Sequence, residues 1–268
     1  MRPLVFITGA SSGIGQALAL RYHQAGWRLA LAARRQADMQ AWLDAQGISA
    51  ELACCYAADV SDADSIMTAA QACMATQGVP DVVIANAGIS IGMDTRVRAD
   101  LEVLQQVMTT NVMGMAATFH PFIDAMTARA EASSDQLKAH RYVGTLVGIA
   151  SVAGIRGMPG HAAYCASKAA AISYCESLRG ELKPLGFKVV TLAPGYIKTP
   201  LTQKNKFPMP FLMSAEAFAD QAFQTIERGT SFRVIPTPMA WVARILRILP
   251  DALFDRAFKN QPRKHRAP

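Results

Sequence analysis

A tyrosine and a lysine four residues apart, Tyr164 and Lys168, give this sequence its clearest chemical signal. The stretch around them is apolar and rich in alanine, and side chains four apart on a helix project from the same face. A free tyrosine titrates near pH ~10, and a neighbouring ammonium group favours the phenolate and lowers the pKa of the phenol. The spacing predicts an acid/base pair. For this motif alone, the alternative is a surface tyrosine and lysine on an amphipathic helix.

A serine upstream of this pair could donate a hydrogen bond to the same reaction. Ser151 ends the apolar run of residues 142–150, which predicts a buried strand. Ligands of open α/β sheets bind beyond the carboxyl ends of the strands. We therefore expect the Ser151 hydroxyl to donate to a substrate carbonyl oxygen, with a helix or turn cap as the alternative.

Three glycines near the start of the chain, at positions 9, 13 and 15, predict a nucleotide-binding turn. They follow a predicted strand over residues 3–8 and precede a helical stretch. Without Cβ atoms, the backbone amides and the positive end of the helix can approach a pyrophosphate. No Gly-Lys-Ser/Thr ending follows, which argues against a nucleoside triphosphatase loop, and an ordinary glycine turn is the alternative. The predicted phosphate contacts are Gly9, Ser11, Ser12, Gly13, Ile14 and Gly15.

In this order, the two motifs resemble those of the short-chain dehydrogenase/reductase family, and the resemblance covers roughly residues 3–235. Asp59-Val60 resembles the pair that flanks the adenine, and Asn86-Ala87-Gly88 resembles the motif that steadies the central sheet beside the cofactor. Asn111 occupies the place of the family's fourth catalytic residue. Residues 194–199 resemble the family's segment that closes over the nicotinamide ring. The resemblance implies that the cofactor contacts Pro194, Gly195, Ile197 and Thr199.

The resemblance implies hydride transfer between a nicotinamide cofactor and a small-molecule carbonyl compound or secondary alcohol. Tyr164 would exchange a proton with the substrate oxygen, and Ser151 would polarise the carbonyl. Lys168 would lower the pKa of the phenol and bind the nicotinamide ribose. Asn111 would hold water in a relay from Lys168 to solvent. The alternative is a non-catalytic nicotinamide sensor, or a membrane-associated scaffold, with the same fold.

The choice of cofactor depends on the end of the second predicted strand. NAD-binding proteins carry an acidic residue there for the ribose 2′-hydroxyl, whereas this sequence has Arg34. A guanidinium matches a 2′-phosphate in charge and geometry, so we expect NADP(H). The alternative is that Arg34 and Arg35 begin a solvated helix.

Length and composition predict one undivided catalytic domain. The chain has 268 residues with 51% hydrophobic content, enough for a large core. Apolar strand-like runs alternate with helical stretches, which predicts an α/β fold of Rossmann type. We expect a doubly wound sheet of about seven parallel strands with helices on both faces. Residues 1–235 would form the dinucleotide-binding catalytic domain, and residues 236–268 a C-terminal amphipathic helical extension with a basic tail.

The extension concentrates the positive charge of the chain. Residues 241–268 contain seven Lys/Arg and two Asp/Glu, a balance of +5 out of +7 for the whole chain. Trp241, Ile245, Ile248 and Leu249 share a helical stripe flanked by arginines, and Leu253, Phe254 and Phe258 continue it. We expect this stripe to pack on the substrate pocket or a subunit, with peripheral contact to an anionic membrane as the alternative. Nucleic-acid binding is disfavoured because the charge is terminal and no recognition motif accompanies it.

Substrate specificity is expected between residues 200 and 229, where residues 207–213 could form an apolar lid. Residues 157–160 could supply another wall. These segments favour an apolar substrate, and core or oligomer packing is the alternative. The family resemblance implies a homodimer or homotetramer.

The five cysteines are odd in number and lack the spacing of metal ligands, so neither a disulfide framework nor a metal site is predicted. The first predicted strand begins close to Met1, and no apolar run reaches the ~20 residues that span a bilayer. We expect a cytoplasmic protein.

Overall fold

The computed structural model describes residues 2–132, 142–203, 205 and 208–259. Within these residues, seven strands form one parallel sheet and two short strands form a separate pair. The large sheet contains β1 (Leu4–Thr8), β2 (Arg28–Ala33), β3 (Ala53–Ala57), β4 (Val82–Ala85), β5 (Thr145–Ile149), β6 (Lys188–Pro194) and β9 (Phe232–Ile235). The pair contains β7 (Ile197–Lys198) and β8 (Met213–Ser214).

Helices connect the strands and cover both faces of the sheet. The first half of the chain forms α1 (Gly13–Gln24), α2 (Gln36–Ala45), α3 (Ala63–Gln77), α4 (Asp100–Met108) and α5 (Gly114–Glu131), with a π-helical turn, Thr109–Met113, between the last two. The second half forms α6 (Ala162–Leu182), α7 (Pro200–Gln203), α8 (Ala215–Arg228), α9 (Thr237–Ile248) and α10 (Asp251–Phe258). Short 3-10 turns cover Val152–Gly154 and Lys183–Leu185.

The strand order shows at which edge of the sheet a ligand would bind. It is β3-β2-β1-β4-β5-β6-β9, so the chain moves outward from β1 and then returns to its other side with β4. This reversal leaves a crevice beyond the carboxyl ends of β1 and β4, where ligands of doubly wound sheets bind. One buried apolar cluster lies on each face of the sheet. The predicted fold class is confirmed.

The predicted C-terminal stripe is divided between the core and the surface. Trp241, Ile245 and Ile248 are exposed, whereas Phe254, which continues the stripe, is buried. Packing of the exposed part on a subunit stays a prediction. Met239 and Ala243 are the buried residues of α9, since this helix has apolar side chains on two sides and turns the other one inward. The predicted tail, residues 263–268, lies outside the described residues. Within the described part of the chain, no helix is both long and apolar enough to cross a bilayer.

Candidate active site

Helix α6 carries the predicted acid/base pair on its face toward the sheet. Lys168 is buried, and its Nζ atom donates to the carbonyl oxygen of Ile149 at 2.7 Å. The same Nζ atom lies 5.9 Å from the centroid of the Tyr164 ring. The structure therefore brings the ammonium group beside the phenol at the carboxyl end of β5.

Ser151, two residues after the end of β5, lies beside this pair. Its hydroxyl is hydrogen-bonded to Tyr164, and its Oγ atom accepts from the backbone N–H of Ala153 at 3.1 Å. Ser151 is also the residue before the 3-10 turn Val152–Gly154. The cap that was the alternative for this serine is thus present, and it holds the hydroxyl beside the phenol.

The pKa values differ from the simple expectation for an adjacent lysine. Burial raises the pKa of Tyr164, and the hydrogen bond with Ser151 opposes that rise. Burial also lowers the pKa of Lys168 to about 8. The net direction for Tyr164 is opposite to the predicted lowering, because burial disfavours the charged phenolate more than the hydrogen bond with Ser151 favours it.

Asn111 lies behind the pair rather than in the cleft. It belongs to the π-helical turn and is buried. Its Nδ2 atom donates to the oxygen of Ile89 and to Oγ of Ser167, both at 2.9 Å, and its Oδ1 atom accepts from the Ile89 N–H at 2.8 Å. These bonds engage both amide hydrogens, and the side chain fixes the loop after β4 against α6.

The glycines of the first turn serve different purposes. Gly9 has φ +65°, and a Cβ atom there would lie 2.7 Å from Cα of Ala87. Gly13 has φ +58° and faces Thr199 across the cleft. Gly15 does not line the cleft, because it packs against the backbone of Gly9. The missing Cβ atom of Gly15 makes room for the turn itself, and the predicted phosphate contact at Gly15 stays a prediction.

The amino end of α1 is open to an anion. Ser12 precedes the helix without a side-chain hydrogen bond to it, and the first turn contains no acidic residue. Its free N–H groups carry the positive end of the helix dipole. Ser12, Gly13 and Ile14 line the cleft, so this end meets any ligand held there.

Asn86 ties β4 to the glycine turn. Its Nδ2 atom donates to the oxygen of Thr8 at 2.9 Å and to that of Gly9 at 3.2 Å. The Thr8 hydroxyl accepts from the backbone N–H groups of Asn86 and Ala87. The two strands that flank the crevice are thereby cross-linked beside the cradle.

A cleft of about 710 Å³ runs along this edge of the sheet. It is lined by every predicted cofactor contact except Gly15: Gly9, Ser11, Ser12, Gly13, Ile14, Arg34, Asp59, Val60, Asn86, Ala87, Gly88, Tyr164, Lys168, Pro194, Gly195, Ile197 and Thr199. Ser151 lines it as well, whereas Asn111 does not.

Two arginines occupy one end of this cleft. Arg34 is 72% exposed, with Nη1 3.8 Å from the Asp59 carboxylate. Arg35 donates from Nη2 to the Ser11 hydroxyl at 3.2 Å and also lines the cleft. Arg34 belongs to the loop after β2, whereas Arg35 is the N-cap of α2: its carbonyl oxygen accepts from the Met39 N–H, and its Nη1 atom lies 3.1 Å from the Asp38 carboxylate. The alternative that the arginines begin a helix therefore holds for Arg35. Sequence reasoning missed Arg35 as a site residue, although its position next to Arg34 was the available signal.

A second cavity of about 180 Å³ shares Ser151 and Tyr164 with the cleft. Met158 and Pro159 line it from the loop after β5, as predicted for that segment. Its other wall, which sequence reasoning did not assign to particular residues, contains Met239, Val242, Ala243, Leu246 and Phe258 of the C-terminal helices. Ser151 and Tyr164 therefore lie where the large cleft meets a mostly apolar cavity.

The described part of the predicted lid, residues 208–213, lines neither cavity, and Phe211 and Leu212 are exposed. Phe207 lies outside the described residues. From the wider segment 200–229, Leu201, Thr202 and Asn205 line the small cavity. Helix α8 packs against α1 instead, with Phe218 fully buried. For α8, the packing alternative holds.

Comparison with known proteins decides the family. A family model described as short chain dehydrogenase matches residues 3–208. The chain belongs to the short-chain dehydrogenase/reductase family. An oxidoreductase of Myxococcus xanthus is 38% identical over 257 residues, covering 95% of each chain. Dehydrogenase/reductase SDR family member 7B of Bos taurus is 30% identical, covering 98% of this chain and 82% of its own length.

Solved structures agree with this short-chain dehydrogenase/reductase fold. A family member from Burkholderia phymatum in complex with NAD has a TM-score of 0.79 at 21% identity, over 100% of this chain and 97% of its own. A short chain dehydrogenase from Burkholderia cenocepacia in complex with NADP has a TM-score of 0.78 at 20% identity, over 95% and 97%. These two similar folds bind different nicotinamide cofactors.

Proposed function

We propose that this short-chain dehydrogenase/reductase is an NADP(H)-dependent enzyme that interconverts a carbonyl group and a secondary alcohol on an apolar substrate. The observation that carries the proposal is the convergence of Ser151, Tyr164 and Lys168 at the junction of the two cavities. A dinucleotide in the large cleft and a substrate in the small one would meet at these three side chains.

The residues of the cleft fit a dinucleotide. The uncapped amino end of α1 suits a pyrophosphate, and the glycine turn leaves the backbone N–H groups open toward it. Asp59 lies beside Arg34 and would flank an adenine with Val60. Gly195 lines both cavities together with Tyr164, and Pro194, Ile197 and Thr199 line the cleft. The nicotinamide ring supplies or accepts the hydride when the cofactor is bound.

The roles of the side chains follow from their positions. Tyr164 keeps its proton at neutral pH because burial raises its pKa, so it is ready to protonate a substrate oxygen during reduction. Ser151 would donate a second hydrogen bond to that oxygen. Lys168 would bind the nicotinamide ribose. Asn111 would support proton exchange through a water relay from Lys168, for which its Oδ1 atom retains one lone pair.

The two arginines support NADP(H) over NAD(H). No acidic residue ends β2, and Arg34 and Arg35 lie where a 2′-phosphate would be bound. The contact of Arg34 with Asp59 is long and exposed, so it competes weakly for the guanidinium. A phosphate would receive charge-assisted hydrogen bonds worth roughly 1.5–3 kcal/mol each.

A panel of aldehydes, ketones and secondary alcohols, followed by the absorbance of NADPH, tests this proposal. We expect turnover of apolar ketones or their alcohols and a higher kcat/KM with NADPH than with NADH. Tight NADPH binding with no turnover across the panel would favour the non-catalytic sensor. Turnover restricted to small, highly charged substrates would contradict the apolar cavity.

A second proposal concerns the outer face of α9, which we infer to contact an anionic membrane surface. Trp241, Ile245 and Ile248 are 61%, 58% and 81% exposed. Arg244 lies with its guanidinium 5.3 Å from the Trp241 ring centroid, and Arg247 is also on this helix. Apolar side chains beside arginines suit the boundary between lipid headgroups and acyl chains. Contact here would place the apolar cavity next to a source of apolar substrate.

Sedimentation with vesicles tests the membrane proposal. We expect binding to phosphatidylglycerol/phosphatidylcholine vesicles and weaker binding to phosphatidylcholine alone. Ile245→Ser/Ile248→Ser should abolish it. The control, Leu101→Ser/Met113→Ser, removes equally exposed apolar side chains elsewhere and should bind normally. Equal loss in both variants, or no binding by the wild type, would exclude this surface.

The oligomeric state stays a prediction drawn from the family resemblance. We propose a homodimer or homotetramer in the cytoplasm, and light scattering after size-exclusion chromatography tests the assembly.

A further inference from the structure

The small cavity is bounded by two segments that are distant in sequence. Val152, Ile155 and Met158 face it from the loop after β5, whereas Val242 and Leu246 face it from α9. Its width therefore depends on what holds the C-terminal helices against that loop.

Arg156 makes this connection. Its Nη1 atom donates to the carbonyl oxygen of Leu246 at 3.0 Å and to that of Leu249 at 2.8 Å, with a longer bond of 3.4 Å to that of Arg247. Its Nη2 atom donates to Oδ1 of Asp251 at 2.6 Å. All four contacts lie where α9 ends and α10 begins.

The chemistry of this junction explains why an arginine is suited to it. The last carbonyl groups of a helix lack partners within the helix and carry the negative end of its dipole. A guanidinium satisfies several of them at once because its donors are fixed in one plane. The backbone carbonyls matter more than the ion pair, since the Arg156 side chain is 17% exposed and that of Asp251 is 94% exposed.

A second route of contact runs from Arg156 into the cavity. Its guanidinium carbon lies 4.4 Å from the centroid of the Phe254 ring, the buried residue of α10. Phe254 stacks on Phe258 with 4.5 Å between ring centroids, and Phe258 lines the cavity. Moving Arg156 would thus release the end of α9 and the aromatic pair of α10 together.

We propose that Arg156 is a positioning residue for substrate selection: it holds the junction of α9 and α10 against the loop after β5 and so sets which length of apolar substrate the cavity accepts. The proposal rests on the function proposed above. Arg156 also lines the cavity, and its four polar contacts hold α9, α10 and their junction in place around it.

Kinetics with NADPH and methyl ketones of increasing chain length test this role in the full-length enzyme. In Arg156→Met, we expect KM for the longest ketones to rise about tenfold relative to the shortest, as the loss of a charged hydrogen bond would cause. We expect kcat for the shortest ketone and KM for NADPH to change less than about twofold. Arg156→Lys should recover part of the selectivity, because an ammonium group can still donate to the carbonyl groups.

Arg21→Met is the matched control. Arg21 pairs with Asp220 at 2.8 Å and lies 4.0 Å from the centroid of the Phe223 ring, so it shares with Arg156 an ion pair and a ring contact, here between α1 and α8, and neither cavity includes it. Arg21→Met should lower the free energy of unfolding without changing how KM depends on the chain length of the ketone. An equal change in selectivity in Arg21→Met would overturn the proposal.

Trypsin cleavage after Arg244 and Arg247, followed by intact mass, provides a readout without turnover. We expect cleavage about tenfold faster in Arg156→Met than in the wild type and unchanged cleavage in Arg21→Met. If Arg156→Met does not fold, Arg156→Gln replaces it, and we again expect a higher KM for the longest ketones and faster trypsin cleavage.

A folded Arg156 variant with wild-type selectivity for chain length and a wild-type rate of cleavage overturns the proposal. If the wild type reduces none of the ketones, the proposed function fails, and cleavage alone decides the role of Arg156.

Discussion

The Nζ atom of Lys168 donates a hydrogen bond to the carbonyl oxygen of Ile149, the last residue of β5, at 2.7 Å. Ile149 lies two residues before Ser151, whereas Lys168 and Tyr164 belong to α6. The bond therefore joins the helix that carries the phenol to the strand end that carries the hydroxyl. It also fixes an amine in a buried place, which lowers its pKa to about 8.

The buried lysine predicts a pH-dependent stability. In the folded protein Lys168 loses its proton near pH 8, against an ordinary pKa of 10.5, so between these values the unfolded chain binds more protons. Its contribution to the free energy of unfolding therefore rises with pH across this interval. The difference in that free energy, wild type minus Lys168→Met, should increase by up to about 3 kcal/mol. Urea unfolding at several pH values measures it, and a flat difference would contradict the burial argument.

Removing the Ser151 hydroxyl should change both rate and pH profile. Its hydrogen bond lowers the pKa of Tyr164, so Ser151→Ala should raise that pKa further. Alcohol oxidation needs the phenolate, and we expect the acidic limb of its rate profile to move to higher pH. Loss of a donor to the substrate oxygen should lower kcat by roughly 10²–10³-fold. Ser151→Thr, which keeps a hydroxyl, should recover part of kcat and part of the original pH profile. If the acidic limb of the profile does not move in Ser151→Ala, the hydrogen bond with Ser151 does not lower the pKa of Tyr164.

Tyr164→Phe tests the proposed acid directly. The ring should still fill its place on α6, so we expect NADPH affinity within about twofold of the wild type by fluorescence titration. Turnover should fall by about 10²–10⁴-fold, the range that general acid–base catalysis supplies. Tyr174→Phe, on the same helix but lining neither cavity, is the control and should keep full activity. A fully active Tyr164→Phe would remove the proposed role.

Arg34→Asp tests the choice of cofactor. A carboxylate would repel a 2′-phosphate and accept a hydrogen bond from a 2′-hydroxyl, so the ratio of kcat/KM with NADPH to that with NADH should fall at least tenfold. Arg35→Ala should lower the ratio less, since Arg34 remains. Arg228→Asp makes the same change of charge at the end of α8, away from the cleft, and should leave the ratio unchanged. A preference for NADH in the wild type would overturn the assignment.

The sequence sufficed for the fold and for most residues that line the cleft, because both depend on short-range patterns. Tyr164 and Lys168 lie one helical turn apart, and Ser151 follows a strand, so helix geometry and sheet order bring them together. Properties that depend on burial in the folded protein could not be predicted from these short-range patterns. The raised pKa of Tyr164 reflects desolvation, and that depends on every segment packed around it.

Long-range contacts were also beyond the sequence. Arg156 is one arginine in a loop, and its partners are 90–95 residues away, so no local pattern links them. The surface that the stripe on α9 contacts could not be predicted either, because apolar residues occur on both sides of that helix, and periodicity alone does not say which side meets the core.

A pair of glycines separates backbone strain from crowding in the nucleotide turn. Gly9 and Gly47 have nearly the same left-handed conformation, with φ +65° and +66°. A Cβ atom at Gly9 would lie 2.7 Å from Cα of Ala87, whereas one at Gly47 would meet nothing within 4 Å. Gly47→Ala should therefore cost only the conformational term, about 1–2 kcal/mol of unfolding free energy. Gly9→Ala should cost about 1–3 kcal/mol more, because Ala87, in the loop after β4, must shift away from the turn. The shift should also weaken NADPH binding in Gly9→Ala and not in Gly47→Ala. Urea unfolding and fluorescence titration of both variants measure these differences, and equal losses of stability would mean that crowding against Ala87 does not constrain the turn.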